Sequence, residues 1–494
     1  MCIFSFFAAL VAFPMTKYNY DYSRLKMEQV INALNSALSF AYDNILSIAM
    51  MILLIAAGIF LTVRTGFFQF RKFGYVIKNT LGKLFNKNMH KQDKGSVSPF
   101  QAVTTALAGT IGTGSIAGVA TALVLGGPGA VFWMWVSALF GMVTKYSEIV
   151  LALKFREKNE SGAYIGGPMY YIKNGLGVKW LAAVFAAFAM IACIGTGNAT
   201  QSNSISGVLD LNFNIAPWIT GLVLTAIVAV VIIGGVKRIA TVNEKLVPVM
   251  AIFFILSSII VLVMNATKIP GAFALIFKEA FNFKSAFGGV AGYGILSAMR
   301  YGVGRGVFSN EAGLGSAPIA HSASSTEDPV KQGVWGVFEV FITTIIICTM
   351  SAVVILTSDV YSLAFNAGTT PAVSGAALSS AAFNETLPFV GGIGVAISTV
   401  FFALSTILGW AYYGEISVGY LFKNHSKLAI NIYRIVYVAF VFIGAIAEIN
   451  TVWLIADCFN ALMALPNLVA LIALSGLVVK ITRDHFAKDK DLLK

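Results

Sequence analysis

With 494 residues, 57% hydrophobic and only 11% charged, and a mean hydropathy of +0.80, the chain lies far from the roughly 25% charged usage of soluble domains and reads as an all-α integral membrane protein. The formal net charge of +12 does not mark a nucleic-acid binder, because the basic residues sit in loops between apolar spans. Four cysteines, Cys2, Cys193, Cys348 and Cys458, all lie in apolar context without metal or disulfide spacing, and read as small packing residues.

The chain opens on a short apolar run without a basic flank, a poorly formed secretory signal. Met27, opening an amphipathic stretch to Asn35, is one candidate for the natural start, which would leave 1–26 outside the native protein. Windows of about 20 apolar residues then mark eleven membrane spans, near 44–64, 98–125, 129–153, 180–206, 216–236, 245–265, 286–308, 331–357, 388–412, 428–448 and 451–479. The polar stretches 71–98, 154–179 and 317–331 read as loops too short to bury cores of their own. If the loop after the first span is cytoplasmic, alternation places 27 of the 34 Lys and Arg inside and 6 outside, with Lys145 inside a span. That is the positive-inside pattern. It predicts a multi-pass protein with its N-terminus outside and its C-terminus cytoplasmic, and the compactness of the chain points to the inner (plasma) membrane.

The second span is interrupted by Gly109-Thr-Ile-Gly-Thr-Gly-Ser-Ile-Ala-Gly118, and glycines recur over 288–306 in the seventh. Glycine loosens a helix, and freed peptide groups in lipid cost several kcal/mol unless they line a protein cavity. Two glycine-broken spans in corresponding halves point to a secondary transporter. Setting aside 1–43 and a peripheral unit at 44–97 leaves ten spans in two groups of five, 98–265 and 266–479, with a cytoplasmic tail at 480–494. Each group begins with its glycine-rich span, and an odd number of spans per group makes the repeat inverted. Enzyme chemistry finds no support. His90, His321, His425 and His485 all fall in predicted cytoplasmic segments, and the first glycine run is neither a nucleophile elbow nor a dinucleotide fingerprint. A channel would show a filter or pore ring, and neither is visible. No obligate protein partner is evident beyond the bilayer.

The run Gly126-Gly-Pro-Gly-Ala-Val-Phe-Trp-Met-Trp-Val-Ser-Ala-Leu-Phe-Gly-Met142 resembles the signature of the sodium:alanine symporter family, the alanine or glycine:cation symporters. So do Gly109–Gly118, Gly166-Gly-Pro-Met-Tyr-Tyr171, Gly197-Asn-Ala-Thr-Gln-Ser-Asn203, Arg300-Tyr-Gly-Val-Gly-Arg-Gly-Val-Phe-Ser-Asn-Glu-Ala-Gly-Leu-Gly-Ser-Ala-Pro318 and Ser405-Thr-Ile-Leu-Gly-Trp-Ala-Tyr-Tyr-Gly-Glu415. The likeness covers nearly everything from about Met27 onward. It implies the leucine-transporter (LeuT) fold, a five-plus-five inverted repeat with two broken helices and here one extra N-terminal helix. It also implies import of a small neutral amino acid, alanine or glycine, coupled to sodium. Glutamine as cargo, or protons as coupling ion, are the alternatives. Where the family commonly has Asn after Gly-Thr-Gly, this chain has Ser115.

An amino acid's carboxylate needs N–H donors at the start of a half-helix, which points to Thr113, Gly114 and Ser115. Asn198 and Gln201 are polar in an otherwise apolar span and could serve the ammonium group. The family pattern adds Tyr301 and Gly302, with Arg300 and Arg305 expected to reach Glu311 or the cytoplasmic interface. Thr406 and Trp410 share a helical face, and the indole would limit the cargo to small side chains. Sodium asks for hard oxygens. Ser405 and Thr406 resemble this fold's hydroxyl pair, facing carbonyls near Gly109 and Gly112. The intramembrane acids Glu339 and Asp457 are candidate proton carriers, or else pair inside the protein.

Overall fold

The computed structural model describes residues 36–37, 39–40, 42–83, 97–282, 294–366, 369, 373 and 375–491. Met27, Cys2, His90 and residues 288–293 of the second glycine-rich segment lie outside the described residues. The other three cysteines are free and buried.

The first span, α1 (Ser47–Arg64), packs on the side of the bundle against α4 and α16 below. The first broken span is α2 (Pro99–Thr110) and α3 (Ala117–Gly126), followed by α4 (Gly129–Lys154). Then come α5 (Lys179–Phe213), α6 (Pro217–Ile233) and α7 (Gly235–Met264). After the short α8 (Ile269–Ala280), the second broken span is α9 (Ile295–Asn310) and α10 (Ala317–Ser322), followed by α11 (Pro329–Thr357). Two short helices, α12 (Asp359–Asn366) and α13 (Gly375–Thr386), precede α14 (Val390–Leu421), α15 (Ser426–Ile446), α16 (Ile449–Ala473) and the terminal α17 (Ser475–Asp491). Among the described residues, eight helices are long and apolar enough to cross a membrane. The two broken pairs and the 17-residue α6 complete the expected eleven.

The sequence dictates much of this directly. A capping box starts α2: Ser98 Oγ accepts from Gln101 N–H at 3.1 Å, and Gln101 Oε1 accepts from Ser98 N–H at 3.2 Å. Proline stands in the first turn of α6, α8, α10 and α11, where its missing N–H costs nothing. Ile219, Leu222, Val230, Ile252, Leu256 and Ile260 leave α6 and α7 with exposed apolar faces, which suit lipid. The interior instead collects hydroxyls, amides and charges around the two broken spans.

Those spans run antiparallel. Val97, just before α2, bridges to Ser324 just after α10. At the other end, a side chain on Gly126, the last residue of α3, would meet Tyr301 and the Ser297 carbonyl in α9. Start beside end at both extremes is the inversion expected from the span count. The segments assigned to the cytoplasm also gather at one end. Arg156 donates to the carbonyls of Ser322, Ser324 and Thr326 at 3.3, 2.6 and 2.9 Å. His485 bridges Tyr75 and Asp328 at 2.8 and 2.9 Å.

Four expectations change. The second break falls at 311–316, because α9 runs unbroken through Tyr301–Gly306, and Glu311 (φ 58°), Gly313 (φ 90°) and Gly315 (φ 81°) turn the chain by left-handed backbone. The supposed loop 317–331 therefore begins with α10, the buried second half of the broken span. Its serines and histidine are sheltered by protein rather than lipid, so hydropathy windows pass over it. Arg300 and Arg305 accordingly lie before the break, at the end opposite the basic loops. Finally, His321 is fully buried in α10 rather than lying in a cytoplasmic loop.

Candidate substrate and ion site

At the first break the chain leaves α2 through Ile111 and an extended Gly112 (φ −103°, ψ −162°), makes a turn over Thr113–Ser115, and restarts at Ala117. Helices from the rest of the bundle satisfy the exposed peptide groups. Ser351 of α11 donates to the Ser115 carbonyl at 2.7 Å, and Ser379 of α13 to that of Ile116 at 3.2 Å. Gly112 is held by space: a Cβ there would lie 2.6 Å from Thr406 Oγ1 and 3.3 Å from Gln201 Oε1. Three helices therefore meet at this glycine.

Gln201 joins the first break. Its Oε1 accepts from both the N–H and the hydroxyl of Thr113, at 3.2 and 3.0 Å. Asn198 does not: its amide donates to the Tyr437 carbonyl of α15 at 2.6 Å. The two were expected on one face, but a π-helical segment, Gly195–Ala199, re-phases α5 between them. Ser115 Oγ lies 2.9 Å from Ser309 Oγ, so the break touches the last turn of α9 directly. Tyr301 and Gly302 stand further up α9. A Cβ on Gly302 would be 2.3 Å from the Ala130 carbonyl of α4, which makes that step a helix-packing contact away from the first break.

Thr406 Oγ1 donates to the Ala108 carbonyl of α2 at 2.7 Å and shares the Phe402 carbonyl, at 2.8 Å, with Ser405 Oγ at 2.9 Å. The α2 carbonyl against the hydroxyl pair is thus that of Ala108, one residue before Gly109. A Cβ on Gly109 would instead meet Tyr413 Oη and Glu311 Oε1 at 2.9 and 3.0 Å. Trp410, one turn beyond Thr406, donates its indole N–H to Glu311 Oε1 at 2.8 Å, while Ser316 donates to Glu311 Oε2 at 2.6 Å. Phe308 packs against Trp453 with ring centroids 4.6 Å apart and the rings tilted by 41°. Arg305 caps the Trp453 ring and pairs with Asp457, Nη2 to Oδ2 at 3.0 Å, rather than with Glu311.

The other intramembrane acid, Glu339, is buried between an ammonium and an imidazole. Its oxygens stand 3.0 Å from Lys145 Nζ and 2.9 Å from His321 Nε2. Glu148, one turn beyond Lys145 on α4, accepts from the Gly315 N–H at 3.1 Å and from Asn467 at 2.6 Å. One face of α4 thus opposes an ammonium to the end of α9 and a carboxylate to the start of α10, each matching the pole it meets. Sequence reasoning did not assign Glu311, Lys145, Glu148 or His321 to this region. Their charge within or beside apolar spans was the available signal.

Likeness to known proteins gives the family. The family model of the sodium:alanine symporter family matches residues 28–494. This chain belongs to that family. It is a family of transporters, not enzymes. The chain is 46% identical over 438 residues to the sodium/alanine symporter AgcS of Methanococcus maripaludis, covering 88% of this chain and 93% of that one. It is 37% identical over 464 residues to the probable sodium/glutamine symporter GlnT of Bacillus subtilis, covering 94% and 92%. It is 38% identical over 445 residues to the putative sodium/proton-dependent alanine carrier YrbD of the same organism, covering 89% and 90%. Among solved structures, MhsT in complex with L-phenylalanine superposes with a TM-score of 0.53 at 15% identity, over 78% of this chain and 90% of that one. That likeness carries the fold, which is of the leucine-transporter type.

Proposed function

We propose that this chain imports a small neutral amino acid, alanine or glycine, together with sodium by alternating access across the plasma membrane, its basic loops and C-terminus on the cytoplasmic side. The observation that carries the reading is the junction of three helices at Gly112, where half-helix N–H groups and an oxygen cluster stand side by side. The cargo carboxylate would take the N–H groups of Thr113, Gly114 and Ser115, displacing Gln201 Oε1 from Thr113. The freed Gln201 oxygen and the Ser309 hydroxyl are acceptors for the ammonium. Phe308, beside Gly114, and Trp410, beside Glu311, would limit the cargo to small side chains. Sodium would be taken by the carbonyls of Ala108 and Phe402 with the hydroxyls of Ser405 and Thr406, all hard oxygens. Each ligand then raises the other's affinity if both favour the same closed arrangement.

Uptake of labelled alanine into proteoliposomes, with and without an inward sodium gradient at fixed pH, tests this. Accumulation only with sodium supports the coupled carrier; sodium-independent accumulation overturns it. A second reading, coupling to protons, draws on Glu311, a buried carboxylate whose hydrogen-bond donors, Trp410 and Ser316, are both neutral. Accumulation driven by a pH gradient without sodium would favour it. Glutamine as cargo draws support from the relatives alone, and competition by unlabelled glutamine decides it.

A further inference from the structure

Lys145 lies in the middle of α4 with no exposed surface. Its stem runs over Gly336 of α11, where a Cβ would come 3.2 Å from Lys145 Cγ. Its ammonium then reaches three oxygens on three other helices: Thr110 Oγ1 at 3.0 Å, the Asn310 carbonyl at 2.9 Å and Glu339 Oε2 at 3.0 Å. Thr110 is the last residue of α2 and Asn310 the last of α9. One cation thus stands at the negative, carbonyl ends of both broken helices at once. Glu339 is held in place from behind by His321, whose Nδ1 lies 2.9 Å from Gln332 Nε2.

A hydroxyl, a carbonyl and a carboxylate converging from separate helices are the ligand set of a hard cation. We propose that the Lys145 ammonium is a resident cation. It occupies, at the junction of the two breaks, a position that a free sodium ion would otherwise have to fill, so that the carrier draws on sodium only elsewhere. The inference rests on the sodium-symport reading above. It goes beyond that reading by assigning a positioning role to a residue that touches neither cargo nor the Ser405–Thr406 cluster. The oxygens would need to close in by about half an ångström to reach hard-cation distances of about 2.3–2.6 Å.

The test is Lys145→Ala, which removes the ammonium and keeps the three oxygens. Purified wild type, Lys145→Ala and the double variant Lys145→Ala/Glu339→Gln are melted in sodium chloride and in choline chloride. The single variant should gain more stability from sodium than wild type does, and the double variant should lose that extra gain, since its carboxylate is gone. In proteoliposomes, Lys145→Ala should need more sodium than wild type and respond to it more steeply, using one further ion per turnover. Four results overturn the proposal: a single variant with the wild-type sodium shift, single and double variants that behave alike, a single variant that cannot be recovered folded even in sodium, or uptake with the native sodium dependence. Wild-type uptake indifferent to sodium would instead unseat the symport reading, and the melting comparison would still decide whether the vacated position takes sodium.

Discussion

Replacing Trp410 with phenylalanine removes one bond to a buried carboxylate. An aromatic ring smaller than the indole remains, and the N–H that reaches Glu311 Oε1 at 2.8 Å is gone. Both residues are buried, with Trp410 1% and Glu311 0% exposed, and water cannot replace the donor in this arrangement. A hydrogen bond to a charged group contributes about 1.5–3 kcal/mol. If it is made only when α14 and the second break are closed together, its loss lowers the population of that state by about tenfold to a hundredfold, since each 1.4 kcal/mol is tenfold. The assay is the initial rate of sodium-driven alanine uptake per mole of reconstituted protein, with competition by larger amino acids. We expect Trp410→Phe to lose at least tenfold in rate, and Trp410→Ala to admit larger competitors as well. A Trp410→Phe rate within about twofold of wild type, about 0.4 kcal/mol, would refute the claim that this bond belongs to the transport cycle. A transporting Trp410→Ala that still excludes larger amino acids would refute the claim that the indole sets cargo size.

Other expectations follow from the same contacts. Gly112→Ala puts a methyl 2.6 Å from Thr406 Oγ1 and should abolish uptake, whereas Gly118→Ala, with nothing within 4 Å, should transport normally. Asp457→Asn leaves Arg305 buried without its carboxylate and should cost about 3–5 kcal/mol of stability; Arg305→Gln/Asp457→Asn should recover most of it, as read by a double-mutant cycle of thermal unfolding. In the loop before α11, burial raises the Asp328 carboxyl, but the hydrogen bond and charge of His485 outweigh it and hold it below the usual carboxylate range. A depressed value means that the stabilisation is complete above the unfolded value of about 3.9 and is lost as pH falls through the folded one. Hydrogen exchange over α17 should therefore rise only under that acid condition, and Asp328→Asn should show the raised exchange already at neutral pH.

Span number, inversion and the first break were legible because each rests on a local signal: about 20 apolar residues, an odd count per repeat, and a glycine cluster inside one span. The second break was misplaced for an equally local reason. Gly302, Gly304 and Gly306 lie in an intact helix; Gly302 is fixed by the close approach of Ala130. The actual turn uses Glu311 with Gly313 and Gly315, and it lies beyond the apolar window that marked the span. Asn198 and Gln201 were read at ideal helical spacing, and a π-helical segment removed the basis for it. Gly109 and Ala108 differ by a single residue, a difference set by how α14 lies against α2, and no sequence pattern carries that.

The buried charges divide by what holds them, and the division suggests where motion occurs. Lys145 and Glu339 stand on the second helix of each repeat, α4 and α11, and pair across the inverted arrangement at the ends of both broken spans. Separating such a pair would leave two bare charges in a low-dielectric interior, at a cost of several kcal/mol, so α4, α11 and the two break ends should travel as one body. Glu311 differs: its oxygens are held by α14 on one side and by the start of α10 on the other, through neutral donors alone. A single hydrogen bond from a neutral donor, about 1.5–3 kcal/mol, can be broken and remade at a cost that ligand binding supplies. The boundary between moving and stationary parts therefore falls between Glu311 and Trp410. Gly112 stands against the same helix through Thr406, so cargo and ion bound as proposed would lie astride that boundary and bias whether it is closed.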